Sequence, residues 1–283
     1  MRATVLNVVT SILAFIAGIT AAVSWMSGPI QNPAPPTPNV QVLPAATPTP
    51  PVATPVETPS KPIHEAVFAK GRLRVKPENT QLTSERLRYE INVTYPQIAG
   101  SNEPYIQRLN QRIKQLVTKE YQWQLHPTRA DFRRWAFAPE ANNLTDLDYG
   151  ITLANDTLLS ITFFGSSYGI GAAHGVQFSF TVNYDLINHR ELQLSDIFKP
   201  QKNYLKFLAA YCRDDLTKSG FSLFEDAPKP IADSFKSWYF TNDGITINFD
   251  SCSVTGCSGG PAYVDISYDT LTPWLRNRFL TRN

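Results

Sequence analysis

Proline is so dense in one stretch of this 283-residue chain that no regular element can run through it: residues 29–62 hold 12 of the 22 prolines. Proline lacks the backbone donor and fixes φ, so Pro48-Thr49-Pro50-Pro51 excludes both helix and central strand. The stretch is expected to be a tether, either extended polyproline II or disordered; a Pro-rich ligand for another domain is the third reading. Extended at about 3.1 Å per residue, it spans roughly 100 Å. It divides the chain into 1–28, 29–62 and a globular body at 63–283.

The first part points to a membrane. Arg2 is the sole charge before Glu57, and the 21 residues Val5–Trp25 are nearly all apolar. A helix of that length, rising about 1.5 Å per residue, crosses the roughly 30 Å hydrocarbon core. The leading expectation is a signal anchor at 5–25, with the N-terminus inside and the body extracytoplasmic, in the periplasm or at the cell surface. A signal peptide cleaved near Ala22-Val23-Ser24 is the alternative, and a buried core helix the third.

Hydrophobic residues at 42% and charged residues at 18% suffice for a packed core in the body. Lys+Arg 26 against Asp+Glu 24 leaves +2, with no basic block, so nucleic acid is not an expected partner. No internal repeat of 20–50 residues is visible. Arg86–Thr94 alternates, with Leu87, Tyr89, Ile91 and Val93 on one face, and reads as a strand. A helix opens at Ser101-Asn102 with Pro104 near its start, and Ile106, Leu109, Ile113, Leu116 and Val117 fall at helical spacing. Asp146–Leu153 and Thr157–Phe164 read as strands across an Asn155-Asp156 turn, and His174–Leu186 as another. Asn188-His189 is its turn and Glu191–Leu194 its return. Asn203–Leu216 reads as a helix. Trp238–Thr241 and Ile245–Phe249 form a hairpin about Asn242-Asp243-Gly244. Ala262–Ile266 is a further strand, and Leu271–Phe279 a closing helix. Tight turns between strands favour antiparallel pairing, so the expected class is α+β: antiparallel sheets with helices packed on one face.

No catalytic set stands out. Gly165-Ser166-Ser167-Tyr168-Gly169 matches G-x-S-x-G, but a nucleophile elbow needs a helix after it, and a glycine-rich strand connection follows instead. Its later acid and base would be Asp185 and His189, which share one hairpin end. Lys218-Ser219-Gly220 resembles one element of penicillin-binding enzymes without their Ser-x-x-Lys partner; a helix C-terminus favours both Lys218 and Gly220. His64, His126, His174 and His189 are scattered, and no metal site or cofactor is expected. His174 lies in Gly171-Ala172-Ala173-His174-Gly175, whose small residues permit close approach; a histidine hydrogen-bonded in a tight bend is the bland reading. Cys252 and Cys257 flank a turn-like stretch and are expected to form a disulfide of an exported protein, closing a short loop for about 2 kcal/mol. Cys212 is then a buried free thiol. Tyr121, Trp123, Trp135 and Phe137, mixed with Arg129, Arg133 and Arg134, are candidate binding aromatics or part of the core.

Three stretches carry a resemblance. They are Tyr89-Glu90-Ile91-Asn92-Val93-Thr94-Tyr95-Pro96-Gln97-Ile98 with the helix around Asn110; Gly171–Gly175 with Asn183-Tyr184-Asp185-Leu186 and Leu192-Gln193-Leu194-Ser195-Asp196-Ile197-Phe198; and Phe240–Ile245 through Gly260-Pro261 to Leu271. Over about 86–275 the body resembles the RsiV C-terminal-like domains, a bacterial extracytoplasmic family. Its members include the outer part of lysozyme-sensing membrane anti-sigma factors and non-catalytic regions preceding peptidoglycan deacetylases. The resemblance implies a cell-envelope recognition module, with a lysozyme-like protein or peptidoglycan as partner. Gly171, His174, Gly175, Tyr184 and Phe198 would shape its site or scaffold, with Trp123 and Trp135 as further ligand-binding candidates. Neither a cytoplasmic anti-sigma domain before Arg2 nor a deacetylase domain after the body is expected. Gly256-Cys257-Ser258-Gly259 replaces the family's aromatic-Ala-Ala-Gly. An envelope hydrolase using Ser167 or His174 is the alternative function.

Overall fold

The computed structural model describes residues 62–280, apart from Pro139, Ser258 and Gly259. The expected anchor at 5–25 and the linker up to Lys61 lie outside the described residues. Among the described residues, no helix is long and apolar enough to cross a membrane.

The alternation read around Ile91 builds β3 (Tyr89–Ala99), with Ile91, Val93 and Tyr95 buried on one face. It pairs antiparallel with β2 (Leu73–Ser84), which also meets the short β1 (Ala66–Phe68). The sequence reading did not identify β1 or β2. In β2 only Leu73 and Val75 are buried, and past Val75 it is a sheet edge whose side chains are largely exposed, so no alternation marks it. Pro77 sits in that edge segment, where its missing donor costs no ladder bond.

Pro104 takes the first turn of α1 (Pro104–Leu125), and Ile106, Leu109, Ile113, Val117 and Tyr121 form its buried stripe. The Thr128 capping box starts α2 (Arg129–Trp135). These two helices return the chain so that β4 (Asn143–Ala154) runs parallel to β3, in register from Tyr89↔Asn143 to Val93↔Leu147. That corrects the expected all-antiparallel sheets: a helical crossover brings the next strand back in the same direction, whereas a hairpin reverses it. Then β5 (Leu158–Tyr168), β6 (Val176–Asp185) and β7 (Arg190–Glu191) follow antiparallel, completing a seven-stranded sheet in sequence order. In the β4–β5 turn, Asn155 Oδ1 accepts from the amides of Thr157 and Leu158 at 2.9 and 2.8 Å.

The chain next forms α3 (Leu194–Ile197) and α4 (Tyr204–Lys218), the latter capped by Asn203 Oδ1. A three-stranded antiparallel sheet follows: β8 (Trp238–Phe240), β9 (Gly244–Phe249) and β10 (Ala262–Ser267). The short α5 (Tyr268–Leu271) comes after it. The expected helix over Leu271–Phe279 is corrected. Pro273 cannot donate to the carbonyl four residues back, Leu275 bridges to Phe198, and only a 3-10 turn at Asn277–Phe279 remains.

Two cores hold these layers. One lies between α1 and the large sheet, with Ile91, Val93, Tyr149, Ile161, Phe163 and Val182 facing Ile106, Leu109, Ile113 and Val117. The other joins α4 to the small sheet, with Leu208, Cys212 and Leu216 against Phe240, Ile247, Val264 and Ile266. Helices are thus shared between the two sheets. Burial pushes the Cys212 thiol up to about 12, which keeps it neutral.

Cys252 and Cys257 form the expected disulfide. The double serine variant is expected to lose about 2 kcal/mol, read as a lower urea midpoint at unchanged slope. No change in midpoint would show that the loop is held by other contacts.

Candidate functional site

Strand alternation that sends Ile91, Leu147 and Ile161 towards α1 sends the intervening side chains to the opposite face of the large sheet. There the registers align Gln81, Asn92, Asp146, Ser166 and Gln177 in one row across β2 to β6. At about 4.8 Å between strands, this polar row is roughly 19 Å long. A second row holds Asp148, Phe164 and Ser179. The small sheet rises beside these rows and turns the face into a groove of about 1040 Å³, walled by Tyr239, Asn248, Asp250 and Tyr263.

The small sheet is positioned by hydrogen bonds to the polar side chains of β5 and β6. Asn183 Nδ2 donates to the Trp238 carbonyl at 2.7 Å, and the Phe240 amide donates to Ser160 Oγ at 3.0 Å. Ser160 Oγ in turn donates to Asn183 Oδ1. Nearer the groove, Asn248 Nδ2 donates to Ser179 Oγ at 2.7 Å, and Ser179 Oγ donates to Asp250 Oδ1 at 2.6 Å. Asn248 is 4% exposed and its Oδ1 has no hydrogen-bond partner among the described residues.

The groove carries negative charge. Asp146, Asp148 and Asp250 line it, and among the described residues no Lys, Arg or His does. Asp146 Oδ1 accepts from Asn92 Nδ2 at 3.2 Å. Asp148 Oδ1 lies 2.9 Å from His64 Nε2, just behind the rim. Two aromatic surfaces are open to solvent: Phe164 at 37% and Tyr263 at 51% exposed. Partial burial, then the Asp250 carboxylate, push the Tyr263 phenol above its ordinary range. Short amides, carboxylates and hydroxyls beside exposed ring faces suit a neutral or cationic polyhydroxylated ligand and disfavour an anion.

The residues singled out from the sequence separate into two groups. Gly171, His174 and Gly175 lie on the exposed β5–β6 loop, where His174 Nδ1 is 2.9 Å from the Gly175 carbonyl. Trp123, 45% exposed, and Arg134 flank that loop: a Cβ at Gly169 would meet the Trp123 ring at 3.8 Å, and one at Gly171 the Arg134 stem at 3.2 Å. Tyr184 and Phe198 are buried in the two separate cores, Phe198 stacked on Tyr204 at 4.5 Å. Trp135 is likewise buried, edge-on to Phe132 at 5.0 Å and under the Arg88 guanidinium. These three are framework. The sequence reading missed the groove. Its signal was the polar half of each alternation (Asn92, Asp146, Asp148, Gln177, Ser179), which alone reads as a solvated face.

The serine constellation is not assembled. Strand β5 runs on through Ser167, which pairs with Val176 at one end of β6. Asp185 lies at the other end of β6, roughly 30 Å away at about 3.3 Å per residue, and His189 stacks on Tyr105. Lys218 pairs with Asp214 at the end of α4, and Gly220 has φ +85° just past it, as a helix terminus requires.

A family model described as a protein of unknown function, DUF3298, matches residues 195–269. That stretch contains the small sheet and all four groove-wall residues. Half of the chain is also similar to the peptidoglycan-N-acetylmuramic acid deacetylase PdaC of Bacillus subtilis (strain 168), at 26% identity over 145 residues. The chain spans 31% of the length of PdaC. In fold it is similar to a DUF3298 family member from Bacteroides fragilis (TM-score 0.50, 18% identity, 74% of this chain and 96% of that one). A DUF3298 protein from Pseudomonas aeruginosa PAO1 is similar to the same degree (TM-score 0.51, 16% identity, 74% and 97%). The resemblance noted from the sequence thus extends to a DUF3298 match and a distant deacetylase relative; these comparisons do not reach the RsiV group itself.

Proposed function

We propose that this chain is a cell-envelope recognition module, held outside the cytoplasm by its amino-terminal anchor, which binds the glycan strand of peptidoglycan along the sheet groove. The observation that carries this reading is the polar row from Gln81 to Gln177, bordered by Phe164 and Tyr263. The strand spacing is close to the repeat of pyranose rings in a β-1,4 glycan, so each ring lies over about one strand. Hydroxyls then meet amides and carboxylates while ring faces stack on the aromatics. The PdaC likeness supports a peptidoglycan ligand, and the disulfide supports an oxidising, extracytoplasmic compartment. The module acts by binding and leaves the glycan intact.

The test is calorimetric titration of the full chain with peptidoglycan tetrasaccharides. Saturable binding is expected, with the fragments recovered unchanged. Tyr263→Ala and Phe164→Ala are each expected to weaken it roughly tenfold, about 1.4 kcal/mol, at unchanged melting temperature. Affinity unmoved by both variants would place the glycan elsewhere. Binding of a lysozyme but no glycan would replace this reading with protein recognition.

A further inference from the structure

The groove holds more negative charge than a ligand made only of hydroxyls requires. Among the described residues, Asp146 and Asp250 have no ion-pair partner and no Lys or Arg lines the groove. Asp148 lies 2.9 Å from His64 Nε2. Two residues before Asp250 is a buried acceptor without a donor among the described residues, Asn248 Oδ1. Its orientation is set, because the amide's other end donates to Ser179, which donates onward to Asp250. A buried acceptor without a donor is unfavourable, and it adds negative potential next to the Asp250 carboxylate. Phe164 lies in the row between Asp148 and Ser179, and a ring face attracts a cation.

We infer that the small-sheet end of the groove selects a hexosamine whose nitrogen is free over one whose nitrogen is acetylated. This rests on the groove being the glycan site. An ammonium brings three donors and a positive charge to the Asp250 carboxylate, whereas an acetamido group brings one donor and no charge. The ligand class is therefore a de-N-acetylated segment of an amino-sugar polymer. The module reads a glycan that has already lost acetyl groups, and a deacetylation must precede recognition.

The experiment titrates the full chain, at physiological ionic strength, with the β-1,4 tetramer of glucosamine, with that of N-acetylglucosamine, and with an oligolysine of the same charge. The glucosamine tetramer is expected to bind about tenfold more tightly than the acetylated one and more tightly than oligolysine. Asp250→Asn is expected to erase the preference by weakening the glucosamine complex alone. Asp146→Asn, at an exposed position of β4, is expected to reduce it in smaller measure and serves if the first variant does not fold. Equal affinity for the two tetramers would overturn the inference and leave glycan binding standing. Oligolysine binding as tightly as the glucosamine tetramer would overturn it too, by reducing the effect to bulk charge. Binding of neither tetramer would overturn the inference, and the titration with peptidoglycan tetrasaccharides would then decide the glycan reading beneath it.

Discussion

Gly244→Ala is expected to destabilise the body by about 3 kcal/mol, among the larger costs a single added methyl can produce. Gly244 opens β9 and pairs with Ser267 of β10. A Cβ built there would lie 2.0 Å from the Ile266 carbonyl oxygen and 2.9 Å from its carbon. Those atoms are backbone in a paired strand, so they can move only by breaking the register that holds Ile245 and Ile247 in the core. Gly150→Ala is the control. There a new Cβ would meet its nearest neighbour, the Pro62 ring, at 3.6 Å, an ordinary contact. Its expected effect is within about 0.5 kcal/mol. Equal denaturant midpoints for the two variants would show that β9 and β10 separate more easily than their packing implies.

Asn183→Ala is expected to cost a similar amount, about 3 kcal/mol, for a different reason. Asn183 is 3% exposed and joins the two sheets: it donates to the Trp238 carbonyl and accepts from Ser160, which itself accepts from the Phe240 amide. Truncation takes the side-chain donor from the Trp238 carbonyl and the acceptor from the Ser160 hydroxyl, which then keeps only the bond from the Phe240 amide, and water does not reach either cheaply. The measurement is a double-mutant cycle with Ser160→Ala. A coupled network gives a double variant clearly less destabilised than the sum of the singles, whereas strict additivity would mean the two residues act independently. Because β8 and β9 carry Tyr239 and Asn248 and lead directly into Asp250, Asn183→Ala is also expected to weaken glycan binding.

How far the site was readable from the sequence follows from how its parts are made. Asp146 and Asp148 announce an exposed strand face at β4, but nothing in their spacing says that Asn92 and Ser166 lie on either side of them. That neighbourhood exists because α1 and α2 return the chain parallel to β3. Gln81 was invisible for a further reason: β2 is an edge strand whose side chains past Val75 are mostly solvated, so periodicity carries no signal there. Tyr184 and Phe198 stand in the motif that carries the family resemblance, and both are buried. A motif can mark the frame as readily as the binding surface.

What the sequence determined by itself is local. The apolar stripe from Ile106 to Val117 makes α1, Pro104 starts it, Asn242-Asp243-Gly244 turns the β8–β9 hairpin, and Cys252 and Cys257 are close enough along the chain to pair. Each depends on residues within a few positions of one another, where propensity, capping and loop closure act. The tertiary structure alone decided which strands are neighbours, that one pair among them is parallel, and that polar side chains from five strands converge beneath a second sheet. Alternation states which face of a strand is apolar and is silent on which strand lies beside it. That choice is made by the crossover helices and by the burial of Ser160 and Asn183 between the sheets, and the acidic groove is its consequence.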